Sequence, residues 1–184
     1  MCAVKANIPE SRDAKDVPRD EFDEAFRPVA AEIGFFAREW NNLHEHLGTI
    51  FSTILSPNNV TIPLAVWNSV PSDATQRKML LSAAKAWLAV NLSQSDVFTR
   101  IEKLVIAVDR LSEMRNAAIH APINILLNTS TFEFSIEPNS SQRHKFAEKL
   151  KGRNIEKEFR GYRSRAEALC QTAIHIWIYL KSRR

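Results

Sequence analysis

The sequence predicts an all-α fold, an up-and-down bundle of about five to six helices with a small β-hairpin inserted before the C-terminal helices. Three observations predict it. Large apolar residues recur at steps of three and four over long stretches, which is the period of one helix face. Only four glycines occur in 184 residues, too few for a turn-rich β fold or for Gly-rich phosphate loops. Strict alternation of apolar and polar residues is confined to one region, Ile123 to Ile136. With 45% hydrophobic and 25% charged residues the balance is that of an ordinary globular domain, and the length suits a single core.

Residues 1–20 mix Pro9, Pro18 and alternating charges with few large apolar side chains, so they read as a flexible arm ahead of one helical domain over 21–184. From Phe22 the period is helical. Phe36, Trp40, Leu43, Leu47, Ile50 and Ile54 form one seam, which Ser56-Pro57 ends because proline disfavours helical geometry in the residue before it. Ile62 to Val70 is a short apolar piece. Asp73 reads as an N-cap with Gln76 completing a capping box, and the helix behind it buries Leu80, Ala83, Ala84, Trp87 and Leu88. Ser93 to Asp96 starts the next helix, whose seam Ile101, Leu104, Val108 and Leu111 runs towards Pro122. The hairpin follows, with Ile123, Ile125 and Leu127 on one strand, Asn128-Thr129-Ser130 turning, and Phe132, Phe134 and Ile136 on the other. Ser140-Ser141 caps a helix through Phe146 and Leu150 that Gly152 interrupts. Ile155, Phe159, Tyr162, Ala166, Leu169, Ala173, Ile176 and Leu180 then make the longest seam, with Gly161 a tolerated weak spot.

The net charge of +4 hides an asymmetry. Met1 to Gln142 carries 13 basic and 17 acidic residues, whereas Arg143 to Arg184 carries 12 basic and 4 acidic. A uniformly basic nucleic-acid coat is excluded, but a basic face on the last helices is not. Two cysteines, Cys2 and Cys170, exclude a disulfide framework and a thiolate-rich zinc site. No stretch approaches the roughly 20 apolar residues needed to cross a bilayer. Charges throughout Met1 to Asp20 leave no apolar core for a signal peptide, so the expected compartment is the cytoplasm and no membrane partner is expected.

The end of the helix at His120 is the informative place for chemistry. Extending its seam by its own rule puts the next position at 115, which is arginine. A guanidinium on an apolar seam cannot lose its proton and needs a partner, a cleft or a subunit interface. Asn116 follows, and His120 lies four residues beyond it, about 40° around the helix, so the two share a face. Pro122 puts His120 in the last turn, where the helix dipole favours imidazolium. A histidine ready to hold or release a proton beside a fixed cation suits phosphodiester chemistry.

Arg115-Asn116-Ala117-Ala118-Ile119-His120 resembles the R-(N/D/H)-x-x-x-H signature of HEPN domains, small all-helical proteins that often dimerise. Many are metal-independent endoribonucleases; others lack nuclease activity. The resemblance implies a homodimer whose two motif copies meet across a cleft, with RNA as substrate and no cofactor. His120 would help move the proton of the RNA 2′-hydroxyl, Arg115 would stabilise charge on the phosphate, and Asn116 would orient it or the histidine. The products would be a 2′,3′-cyclic phosphate and a 5′-hydroxyl. Roles in toxin–antitoxin pairs or phage defence, with an antitoxin or defence protein as partner, come with the same resemblance. A rival reading keeps the bundle and drops the catalysis, leaving a module that binds nucleic acid, a nucleotide or a protein partner. The plainest reading makes Arg115 a buried ion-pair residue and His120 a helix cap.

Other candidates are weaker. Glu39 is a supporting candidate, facing Arg115 across the bundle as an acidic residue does in some HEPN proteins, or else a solvated charge beside the core. Arg143, Lys145, Lys149, Arg153, Lys157, Arg160 and Arg163 form a basic side that would track phosphates if the motif is real, and is otherwise a solvated face. Arg38 with His44 is a second arginine followed within four to six residues by a histidine, but it lies mid-helix and Glu39 replaces the polar neighbour. His44 and His46 lie about 200° apart on a helix and cannot share a metal. Cys170 and the four tryptophans read as packing.

Overall fold

The computed structural model describes residues 18–120, 123–128, 130–131, 133–139 and 145–182. The described chain is helical with one hairpin, in the predicted order. The elements are α1 (Arg19–Leu55), α2 (Thr61–Asn68), α3 (Asp73–Val90), a 3-10 turn (Leu92–Gln94), α4 (Ser95–His120), β1 (Ile123–Asn128), β2 (Glu133–Pro138), α5 (Lys145–Leu150) and α6 (Ile155–Ser182). Most of the expected arm, the turn at Thr129, Phe132 and the cap at Ser140-Ser141 lie outside the described residues. Contacts divide the chain into two units, to which α1, α4 and α6 each contribute.

Unit 1 holds α1 up to Phe36, the end of α4 from Glu113, the hairpin, α5 and α6 up to Arg163. Pro28 lies inside α1. It supplies no N–H to the carbonyl four residues back, yet the helix continues because Ala25, Val29 and Phe36 are buried on either side of it. The rings of Phe36, Phe159 and Tyr162 pack at centroid distances of 6.2, 6.0 and 5.6 Å. The hairpin is antiparallel, pairing Ile125 with Ile136 and Leu127 with Phe134. Its apolar face is laid on α1, where Phe134 meets Phe22 edge-on at 5.0 Å. Gly152, at φ +71, reverses the chain after α5, a conformation costly for any residue with a Cβ. Asn154 then caps α6, its Oδ1 accepting from the Lys157 amide at 2.9 Å.

Unit 2 holds α1 from Ala37, α2, α3, α4 up to Ser112 and α6 from Ser164. The predicted seams are its core: Trp40, Leu43, Leu47 and Ile50 of α1, Leu80 and Ala84 of α3, Ile101, Leu104 and Val108 of α4, and Ala166, Ala173 and Ile176 of α6 are all buried. Trp67 closes the side of α1 through Phe51 at 5.3 Å and crosses at Gly48, where a Cβ would stand 2.9 Å from the indole nitrogen. The cap of α3 falls one residue earlier than the sequence predicts. Ser72 Oγ accepts from the Thr75 amide at 3.4 Å, because Asp73 is engaged by the indole N–H of Trp40 at 3.0 Å. Gln76 does not close a capping box. It donates instead to the carbonyls of Trp67 and Val70.

Candidate functional site

The last turns of α4, in unit 1, carry three of the sequence-predicted residues. Arg115 and Asn116 are half-buried, and Arg115 Nη1 donates to Asn116 Oδ1 at 3.2 Å. His120 is the final residue of α4 and is exposed, one helical turn and about 6 Å along the axis from Asn116. The side chains of residues 117–119 lie outside the description. Arg115 is therefore neither sealed in a core nor fully solvated. The asparagine oxygen limits the guanidinium's freedom and leaves further donors of its five for another acceptor.

The basic C-terminal region meets this end of α4. Lys149 Nζ on α5 donates to Glu113 Oε2 at 2.6 Å, two residues before Arg115. The other described cations of the predicted face belong to the same unit, but most face carboxylates. Arg160 binds Glu156 at 2.5 Å and the buried Glu32 at 3.2 Å; Arg163 lies 3.1 Å from the second oxygen of Glu32; Arg153 binds Glu158 at 3.3 Å. Lys157 is exposed. Arg143, and the side chain of Lys145, lie outside the description. The exposed pairs with Glu156 and Glu158 are each worth about 0–1 kcal/mol, whereas those with Glu32 engage a buried carboxylate.

Glu39 belongs to unit 2 and Arg115 to unit 1. Its carboxylate accepts from Arg38 at 2.7 Å and from Asn42 at 3.3 Å. Among the described residues no group of three or more histidine, cysteine or acidic side chains could hold a metal ion. No described helix is long and apolar enough to cross a membrane.

Sequence reasoning passed over a second polar cluster. In unit 2, Trp40, His44, Asp73, Gln76, Arg77 and Asp109 form one network in which Arg77 is only 3% exposed and His44 only 8%. The signal was present: stepping back three residues from Leu80 along the α3 seam reaches Arg77, just as stepping forward on α4 reaches Arg115. A hollow of about 180 Å³, bordered by Thr53, Trp87, Asn91 and Tyr179, also lies in unit 2 and contains none of the predicted site residues. Comparison with protein-family models, with curated proteins and with solved structures finds no match.

Proposed function

We propose that this chain is a HEPN-like, metal-independent endoribonuclease whose reacting groups are Arg115, Asn116 and His120. The observation that carries the reading is the junction of a half-buried Arg115–Asn116 pair, an exposed histidine at the helix end and a basic helix tied beside them through Glu113 and Lys149. In the reaction the RNA 2′-oxygen attacks the adjacent phosphorus and loses its proton to a base. The bond from phosphorus to the 5′-oxygen breaks, and that oxygen takes up a proton. His120 moves one of these protons, Arg115 holds the charge that builds on the phosphoryl oxygens, and Asn116 fixes the guanidinium through its 3.2 Å bond. The product ends are a 2′,3′-cyclic phosphate and a 5′-hydroxyl. Two copies of the chain would face each other across the cleft, in the cytoplasm, with an antitoxin or defence protein controlling them.

A second reading is favoured by the internal pairing of Arg153, Arg160 and Arg163: a non-catalytic module of the same kind that binds a partner instead of cutting RNA. One comparison separates the two. Mixed RNA is incubated in excess chelator with the unsubstituted protein and with His120→Ala. The nuclease reading expects cleavage that the substitution lowers at least a hundredfold. Equal cleavage by both, or none by either at micromolar protein, contradicts it.

A further inference from the structure

In unit 2 the ring of His44 is gripped between two side chains of α3, and its tautomer can be read from its neighbours. The amide nitrogen of Gln76 donates to the carbonyls of Trp67 at 3.0 Å and Val70 at 3.2 Å, which uses both of its hydrogens. The Gln76 atom facing His44 Nδ1 at 3.3 Å is therefore the amide oxygen, an acceptor, so Nδ1 carries the proton. On the other side Arg77 Nη1 stands 3.3 Å from Nε2. A guanidinium has only donors, so Nε2 is bare and accepts. These contacts require a neutral imidazole protonated on Nδ1.

A second proton at Nε2 would set imidazolium against guanidinium head-on. Arg77 is buried, and its Nε is held by Asp109 Oδ1 of α4 at 2.6 Å while the guanidinium lies 5.8 Å from the Trp40 ring centre, so it cannot easily swing away. An opposing pull comes from Asp73, whose Oδ2 is 3.9 Å from Nε2. That carboxylate is farther away, already accepts from Trp40, and is 38% exposed, so its attraction is the more screened. From α6, Cys170 comes against α1 earlier, at the Glu39 carbonyl, with Glu167 on its own helix close to the thiol.

We propose that His44 is an acid-sensitive latch between α1 and α3: neutral, it ties Gln76 to Arg77, and on taking a proton from solvent at Nε2 it gives up Arg77 and loosens α3 from α1. The unfolded imidazole takes its proton near pH 6.5, whereas the folded ring resists it. The stability due to the latch is thus complete above about pH 6.5 and is lost as the pH falls below it. Through this one group the folding equilibrium constant drops between pH 7.5 and 5.5 by at most about tenfold, the limit set by a folded ring that stays neutral throughout.

Two measurements on the full chain test this. Long-range ¹H–¹⁵N spectra of the imidazoles at pH 7.5 should show His44 protonated on Nδ1, with Nε2 bare. Urea unfolding at pH 7.5 and 5.5 should show a larger loss in the unsubstituted chain, by up to about tenfold in the folding equilibrium constant, than in His44→Gln, which keeps an acceptor for Arg77 but does not titrate. A proton on Nε2, or an equal loss in both chains, overturns the proposal. Should His44→Gln not fold, the tautomer read from the unsubstituted chain decides it alone.

Discussion

Cys170 lies 6% exposed on α6, its thiol directed at the Glu39 carbonyl of α1 at 3.7 Å. Burial pushes its pKa up to about 11, and the negative charges of Glu39 and Glu167 add to the rise. Since the thiolate is the reactive form, alkylation of Cys170 at pH 8 should run about a hundredfold slower in the native protein than in the urea-unfolded protein, and should quicken as the pH rises. Mass-mapped iodoacetamide labelling reads this directly, and equal rates would contradict the assignment. Phe36 shows the apolar side of the same scale. It is fully buried between Phe159 and Tyr162, so Phe36→Ala should cost about 3–5 kcal/mol in urea unfolding. Seam residues such as Phe36 were legible because burial follows the helix period. Buried Arg77 was harder to read, since its nearest stabilising carboxylate, Asp109, comes from a different helix.

Helix ends show where local sequence suffices and where it does not. The stops at Leu55, His120 and Leu150 sit just before Pro57, Pro122 and Gly152, signals that act within two residues. The start of α3 was misplaced by one residue because Ser72 and Asp73 are both capable caps. What separates them is the Trp40 indole, 33 residues away, which claims Asp73. Ser72→Ala should therefore destabilise by about 1 kcal/mol. Glycines in helices give an opposed pair. Gly161 of α6 is exposed with open space at its Cβ position, so Gly161→Ala should stabilise by about 0.5–1 kcal/mol. Gly48→Ala should destabilise instead, since its methyl would press on the Trp67 indole. Thermal unfolding of the two variants should move the midpoint in opposite directions.

For the whole molecule, the charge asymmetry became a matter of placement. The basic C-terminal region is joined to the motif end of α4 by Lys149, but Arg153, Arg160 and Arg163 are matched by Glu32, Glu156 and Glu158. The sequence reveals the excess of cations and the nearby Glu156 and Glu158, but not the pairing with Glu32, which comes from the opposite end of the chain. If RNA phosphates take over the Lys149 contact, Lys149→Gln should weaken RNA binding and flatten its logarithmic salt dependence by about 0.7. The central claim is that the end of α4 cuts RNA without a metal. It is tested most directly by analysing the ends of RNA fragments released by purified protein in excess chelator. Fragments ending in a 2′,3′-cyclic phosphate and beginning with a 5′-hydroxyl, absent with Arg115→Ala and with His120→Ala, are the predicted result. Intact RNA at micromolar protein, or fragments carrying 3′-hydroxyl ends, would contradict it.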